Sequence, residues 1–494
     1  MSTRSRSIAI VGAGFSGAAL AYRLLRRESA VAVRIVLIEK STRFGRGLAY
    51  SESAAGTTLN VPASRMSIDE TRPNDLLDYL RLRQVPVEPG DFIPRTLYGD
   101  YVEARLKDAA RVAAASTSIN RVNRAVTGVT RQGATSSWNV EFDDGSSVLA
   151  DAVVLATGHC PPRPLAPFAS LQGTELYLND PWSPPFSAPS GGRVLLVGTG
   201  LTMADVVCRL ATSAHPPREI VALSRRGLLP LSRCETAPLT PSVAIGLDRL
   251  ERATTLGAMV AGVRAAVRRA AAVGIDWRDV MVALRERVPG LWRRLNDTER
   301  ARFLRHLQPY WDVHRHQLPP LTGRTLQELL GTRRLSVRAG RITDAKQVNR
   351  RVQVTFRPRG GVGVETELFD LVINSSGADA DPSQADSPLM RTLLANGLVS
   401  ADPTRVGLRV DACSRLIGAD GTPSPGLHYL GPWLRARDLE CTAVHELRLH
   451  ASALAARLVP AVPATVAAVG AWPSIRQDAT RRSTRTIGAA VTVK

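Results

Sequence analysis

A short apolar strand that runs into closely spaced glycines and then a helix permits few folds, and this chain contains the arrangement twice. In the first copy Ile8-Ala-Ile-Val11 leads into Gly12-Ala-Gly14-Phe-Ser-Gly17, a helix is expected over 18–27, and a second strand, Val33 to Ile38, ends at Glu39. The glycines permit a tight turn and close approach to a pyrophosphate. The helix N-terminus then faces the phosphates, and Glu39 accepts the ribose hydroxyls. This is a dinucleotide site.

In the second copy Arg193-Val-Leu-Leu-Val197 leads into Gly198-Thr-Gly200-Leu-Thr-Met203, with a helix from Ala204 and a second strand over Ile220–Leu223. That strand ends in Ser224-Arg225-Arg226. The offset from Gly12 to Glu39 is 39 − 12 = 27, and from Gly198 to Arg225 it is 225 − 198 = 27. An acid at that place repels a 2′-phosphate, whereas a guanidinium binds one with two hydrogen bonds. The second unit therefore reads as an NADPH site held by Gly198, Gly200, Arg225 and Arg226, although Met203 replaces the third glycine.

Two more apolar strands, within Asp151–Gly158 and Asp370–Gly377, end in small-hydroxyl-plus-glycine turns, so Thr157, Gly158 and Gly377 are candidate cofactor contacts. Such turns are expected to return the chain to the first domain after an excursion. The expected fold is α/β, with two Rossmann-like dinucleotide-binding domains, the second carrying an all-helical insertion. The boundaries expected are 1–160 for the first part of one domain, a Pro-rich linker over 161–190, and the NADPH domain over 191–365. Its insertion covers about 245–320, the first domain resumes over 366–460, and 461–494 forms a basic, loosely ordered tail. Within the insertion, breaks are expected at Gly274 and Pro289-Gly290, and Asn296-Asp-Thr-Glu299 reads as a capping box opening a helix over 300–307.

Length and composition narrow the partners. At 494 residues the chain exceeds one hydrophobic core. The net charge is 64 − 44 = +20, yet only Lys40, Lys107, Lys346 and Lys494 among the 64 basic residues are lysines. The arginines are scattered and form no stripe interleaved with aromatics, which argues against nucleic acid and for an anionic small molecule. The five cysteines, Cys160, Cys208, Cys234, Cys413 and Cys441, contain no C-x-x-C, which argues against a disulfide scaffold, a zinc ribbon or a redox pair. No apolar run is long enough to span a membrane, and the N-terminus lacks a signal-peptide pattern, so a cytoplasmic location is expected.

Several further stretches carry a family resemblance. They include Gly47-Leu-Ala-Tyr50, Leu59-Asn-Val-Pro-Ala63, Pro94-Arg-Thr-Leu-Tyr-Gly99, Ala156-Thr-Gly-His159 and Asp180-Pro-Trp182. Later ones are Arg302-Phe-Leu-Arg-His306, Trp311-Asp-Val-His-Arg-His316 and Thr442-Ala-Val-His-Glu-Leu-Arg448. With the two glycine turns, the chain resembles bacterial FAD/NAD(P)-binding flavoproteins, distant relatives of NADPH-dependent N-hydroxylating flavin monooxygenases. The resemblance implies FAD in the first site (Gly12, Gly14, Gly17, Glu39) and NADPH in the second. It also places Asn60 and Val61 beside the flavin, and makes amine N-oxidation the leading chemistry. Two departures stand out. Leu171-Gln-Gly-Thr-Glu-Leu-Tyr177 lacks the Phe and His of the F-x-G-x-x-x-H stretch, and Gly431-Pro432 stands where many such proteins carry Gly-Asp.

The implied reaction passes a hydride from NADPH to FAD, after which O2 and a peroxyflavin oxygenate a small molecule, an amine or amino acid. The cofactors carry the chemistry while the protein positions them. Thr442 is expected to cap a helix whose N–H groups face the flavin. His159, His314 and His316 are the candidate catalytic groups, and the spacing of His306, His314 and His316, with Asp312 close by, fits neither a helical H-x-x-x-H face nor a Cys/His ribbon, so no metal is expected. The alternatives are a reductase that inserts no oxygen and a non-catalytic redox-sensing flavoprotein.

Overall fold

The computed structural model describes residues 5–133, 137–182, 186, 188–233 and 247–460. The basic tail and Cys234 lie outside them.

The first sheet has six strands in the order Arg415–Ile417, Pro423–Tyr429, Ala152–Leu155, Arg6–Val11, Val33–Ile38, Thr117–Val122. All run parallel except the edge strand Arg415–Ile417. Ile8, Ala9 and Ile10 are fully buried, as are Val153, Val154 and Leu155, because a parallel sheet is covered on both faces. The helix Phe15–Leu25 covers one face and packs against Val444–Leu458, while Val126–Arg131, Trp138–Phe142 and Ser147–Ala150 form a separate antiparallel meander.

The second sheet has seven strands in the order Glu365–Phe369, Arg351–Pro358, Leu335–Val348, Glu219–Ser224, Arg193–Val197, Leu371–Asn374, Tyr177–Leu178. It repeats the plan of the first lobe. Leu335–Ala339 continues the parallel sheet, and Gly340–Val348 turns into an antiparallel meander with the next two strands. One long strand thus does the work that Thr117–Val122 and Val126–Arg131 share in the first lobe.

That repetition corrects the boundaries expected at 366 and over 161–190. Leu371–Asn374 pairs with Val194–Val197, as Ala152–Leu155 pairs with Ile8–Val11, so this strand closes the second sheet and does not begin the return. The return comes with the helix Pro388–Ala395, which packs on Val126–Arg131. The linker also joins the second lobe. Phe168, Leu171 and Tyr177 are buried in its core, and Tyr177–Leu178 is its edge strand.

The insertion is helical, with Leu256–Ala272, Trp277–Arg294, Asp297–Arg302 and Gln308–Arg315 around a core of its own. Gly274, at φ +75°, breaks it as expected. Pro289 does not. It lies inside Trp277–Arg294, where the buried stripe Val280, Ala283, Leu284, Val288, Leu291 and Trp292 carries the helix through the lost hydrogen bond. Asn296 accepts from the Glu299 N–H at 2.9 Å, which is half a capping box, because Glu299 itself accepts from Leu256 N. The insertion docks on the C-terminal arm of the first lobe through Trp292 Nε1 to Ala436 O (3.0 Å) and Arg293 to Asp438 (2.5 Å).

Candidate functional site

The first glycine turn is a close-packed cradle. Gly12 has φ +99°, and a Cβ there would lie 2.4 Å from Ala156 O; one on Gly17 would lie 1.9 Å from Gly12 O. Gly14 faces Gly47, leaving a bare-backbone channel between two glycines. The helix Phe15–Leu25 starts at Gly14 with no side-chain cap, so its first N–H groups are free for phosphate. Glu39 accepts from Ala13 N at 2.8 Å, which fixes its carboxylate beside that turn. These features fit the pyrophosphate and adenosine ribose of FAD.

The second turn repeats the cradle with less constraint. Gly198 has φ +123°, and a Cβ there would lie 2.3 Å from Ser375 O, while Gly200 stands open. Gly158 (φ +74°) follows the strand beside Gly12, and Gly377 (φ +91°) follows the strand beside Gly198. Gly377 therefore borders the second groove, and Thr157 and Gly158 border the first.

Register corrects the equal-offset comparison. Gly12 N donates to Ile38 O and Gly198 N donates to Leu223 O, so the counterpart of Glu39 is Ser224, and Arg225 lies one residue further on. Ser224 Oγ sits 2.9 Å from Thr199 Oγ1 and accepts from Gly227 N, which pins the turn. Arg225 is exposed with no side-chain hydrogen bond or ion pair among the described residues. Arg226 is occupied, since it donates to Arg305 O (3.1 Å) and lies 5.7 Å over the Tyr310 ring.

Side chains of the first lobe and of the insertion meet beyond the strand ends of the first sheet, where His159, Asp312 and His316 all feel the Arg435 charge, and this meeting place is the candidate cleft. His159 follows the strand Ala152–Leu155, and Arg435 follows its neighbour Pro423–Tyr429, so the two leave adjacent strand ends. His159 has an exposed surface although protein crowds it closely, as expected for a group lining a cleft. Desolvation, and then the Arg435 charge, lowers its pKa to about 4. The imidazole is neutral at physiological pH. His316 lies 3.6 Å from Asp312, on the same face of the insertion's last helix. Burial pushes both toward their neutral forms: it lowers His316 and raises Asp312. Glu440 anchors this wall, accepting from Trp311 Nε1 at 2.9 Å and pairing with Arg315 at 3.0 Å.

The cleft thus brings His159 and His316 into one electrostatic neighbourhood through Arg435. His314 is not part of it. Its Nδ1 lies 2.7 Å from Tyr310 O, and its ring packs edge-on against Trp277. Thr442 is exposed and is not a cap: the last helix, Val444–Leu458, begins after Ala443 with no side-chain cap. Asn60 and Val61 are half-buried, and Asn60 O accepts from Arg233 at 3.4 Å. Sequence reasoning missed Asp312, Arg233, Arg435 and Glu440. Asp312 alone left a signal, being four residues before His316 on a helix. Among the described residues no group of His, Cys, Asp and Glu is arranged to hold a metal. Among the described residues Cys160 has no cysteine partner, and burial, with the Asp379 charge, pushes its thiol up to about 11.

Residues 9–160 match the model of a family described as FAD-NAD(P)-binding, so this part of the chain is an FAD/NAD(P)-binding domain. No curated protein matches the chain by sequence. Its fold is similar to that of ornithine N-hydroxylase from Kutzneria sp. 744, solved with reduced FAD, NADP+ and L-ornithine, at TM-score 0.60 and 16% identity, covering 92% of this chain and 99% of that one. L-lysine 6-monooxygenase from Pseudomonas syringae is similar at TM-score 0.59 and 16% identity, with the same coverage of 92% and 99%. A bacillithiol disulfide reductase from Staphylococcus aureus matches at TM-score 0.52 and 11% identity over 92% and 98%. The fold is therefore that of flavoproteins with two dinucleotide sites, and it is shared by enzymes of different reaction types. No described helix is long and apolar enough to cross a membrane.

Proposed function

We propose that the protein is an NADPH-dependent FAD monooxygenase that oxygenates a small molecule, most readily the nitrogen of an amine or amino acid, in the cytoplasm. The observation that carries this reading is the cleft itself. What supports it is a pair of imidazoles held neutral near the Arg435 guanidinium, together with a sequence that contains no C-x-x-C to relay electrons onward. Bound FAD would accept the hydride of NADPH and supply the electrons for oxygen activation.

The chain's own residues do the rest. Gly12, Gly14, Gly17 and Glu39 hold the first cofactor, with Asn60, Val61, Thr157 and Gly158 along its path. Gly198, Gly200, Gly377 and Arg225 hold the second, with Arg226 buttressing. His159, neutral above about pH 5, keeps a ring nitrogen free to take the proton that the substrate nitrogen loses once its lone pair has bonded to oxygen. His316 and Asp312 form a second proton-holding pair across the cleft, and Arg435 keeps the site positive for negative charge developing there. The shape of neighbouring enzymes that act on ornithine and lysine supports the amine class.

A second reading, a reductase that inserts no oxygen, draws on the missing Phe and His over 171–177. One experiment separates the two. A panel of amines is screened for stimulated NADPH consumption, with mass spectrometry of the products. Substrate-dependent gain of one oxygen atom is expected. Turnover that persists without O2 and yields no oxygenated product would overturn the proposal.

A further inference from the structure

Arg233 carries a charge that no carboxylate among the described residues answers. Its backbone N–H donates to Leu318 O at 2.9 Å, which fixes the residue beside the end of the insertion. Its guanidinium makes one long bond, to Asn60 O at 3.4 Å, and lies 6.0 Å from the Phe92 ring. Its Nε is buried with no partner. Among the described residues no carboxylate pairs with it, although partly buried cations are normally paired.

The surrounding charges sharpen the point. Arg285 pairs with Glu446, and Arg315 pairs with Glu440 at 3.0 Å. Arg435 also makes no ion pair among the described residues, and its Nε is likewise buried without a partner, but its charge acts on His159 and Asp312 and is not among those that act on Arg233. Beside the Asn60 segment the unpaired cations are Arg233 and exposed Arg65, neither in an ion pair among the described residues. Burial, with Arg65, Arg315 and Arg285 adding, lowers the Arg233 guanidinium to about 10, so it is still charged at neutral pH. A planar fork with free donors, in a cleft with a surplus of positive charge, is the recognition element for a carboxylate.

We propose that Arg233, assisted by Arg65, anchors a carboxylate of the substrate, so that the substrate is an acid-bearing amine and not a free diamine. This rests on the reading of the cleft as the substrate site. A dication there would meet two unpaired guanidiniums, whereas a zwitterion or an acid would complete them.

The test uses FAD-loaded protein and three probes of equal chain length: glutarate, 5-aminopentanoate and 1,5-diaminopentane, titrated calorimetrically. The two carboxylates are expected to bind at least about tenfold more tightly than the diamine. Arg233→Gln should weaken them about tenfold or more, and Arg233→Lys should recover part of the loss, since it keeps charge without the fork. FAD content and NADP+ affinity should be unchanged in both variants, which also reports that they fold. Diamine binding equal to glutarate binding would overturn the inference, as would carboxylate binding indifferent to Arg233→Gln. A loss of NADP+ affinity in place of carboxylate affinity would reassign the arginine to a phosphate. If carboxylates bind through Arg233 but no amine is oxygenated, the monooxygenase reading fails and the anion site stands.

Discussion

The two dinucleotide units share a plan that extends to the meander and the closing strand, and they part at three matched positions. Gly17 stands opposite Met203, Glu39 opposite Ser224, and His159 opposite Ala378. At the first pair, helix and turn touch in one unit, whereas the other accommodates a fully buried Met203 side chain. At the second, a carboxylate suited to a ribose diol gives way to a hydroxyl that pins a turn and presents an arginine. At the third, only the first unit carries an imidazole into the cleft. The shared backbone makes two cofactor grooves; the differences decide what each accepts and which side holds the chemistry.

The largest effect should come from the tightest contact. Gly17→Val places a side chain where even a Cβ would lie 1.9 Å from Gly12 O, so a loss of more than about 3 kcal/mol and a colourless protein are expected. Gly200→Ala meets nothing within 4 Å, so the fold and flavin content should survive while NADPH binds less well. Flavin absorbance and melting temperature check both. A yellow Gly17→Val protein would show that the first unit is not the close-packed cradle described.

The next effect concerns coenzyme choice. Arg225→Ala should raise the KM for NADPH about ten- to a hundredfold, from loss of a charge-assisted contact worth about 1.5–3 kcal/mol. The kcat should change much less, and FAD content not at all. Equal use of NADH and NADPH by the unaltered protein would reduce Arg225 to a surface charge.

The sequence made much of this legible, and its failures have physical causes. The glycine turns announce themselves because only glycine tolerates φ near +99° or +123° against a carbonyl. Counting residues misaligned Glu39 with Arg225, because the loops between strand and helix differ by a residue that only hydrogen-bond register reveals. In the sequence alone Leu371–Asn374 looks like the return to the first domain, since an apolar strand with a hydroxyl-glycine turn has the same pattern in either sheet. Pro289 looks like a break because packing of the stripe on either side is invisible locally. The cleft was least legible. Arg233, His159, Asp312 and Arg435 come from distant segments and meet only through the docking of the insertion.

A smaller effect separates the lobes by acid. His428, a buried strand residue of the first sheet, is lowered by desolvation to about 4, whereas the strands of the second sheet contain no histidine. The unfolded chain takes up this proton near pH 6.5 and the folded chain not until about pH 4. Stability should therefore fall as pH drops from about 6.5 to about 4, by about 1–2 kcal/mol from this group. Hydrogen exchange at pH 5 against pH 7 should loosen the first sheet before the second, and His428→Gln should flatten that difference. Uniform loosening would show that the imidazole is not held neutral.

The smallest effect tests what the insertion adds to the second unit alone. Arg226 is held by Tyr310 and Arg305, both from the insertion, whereas the end of the strand Val33–Ile38 is held from within its own lobe, with Asn123 donating to Glu39 O at 2.9 Å and the Glu39 carboxylate accepting from Ala13 N. If that grip keeps Arg226 beside the 2′-phosphate, Tyr310→Ala loses a partly exposed cation–π contact of about 0.5–1 kcal/mol. The KM for NADPH should then rise about two- to fivefold, with the KM for NADH unchanged. Tyr310→Phe, which keeps the ring face, should behave as the unaltered protein. A rise for both coenzymes would instead mean that Tyr310 supports the insertion as a whole, and the selectivity of the second site would rest on Arg225 alone.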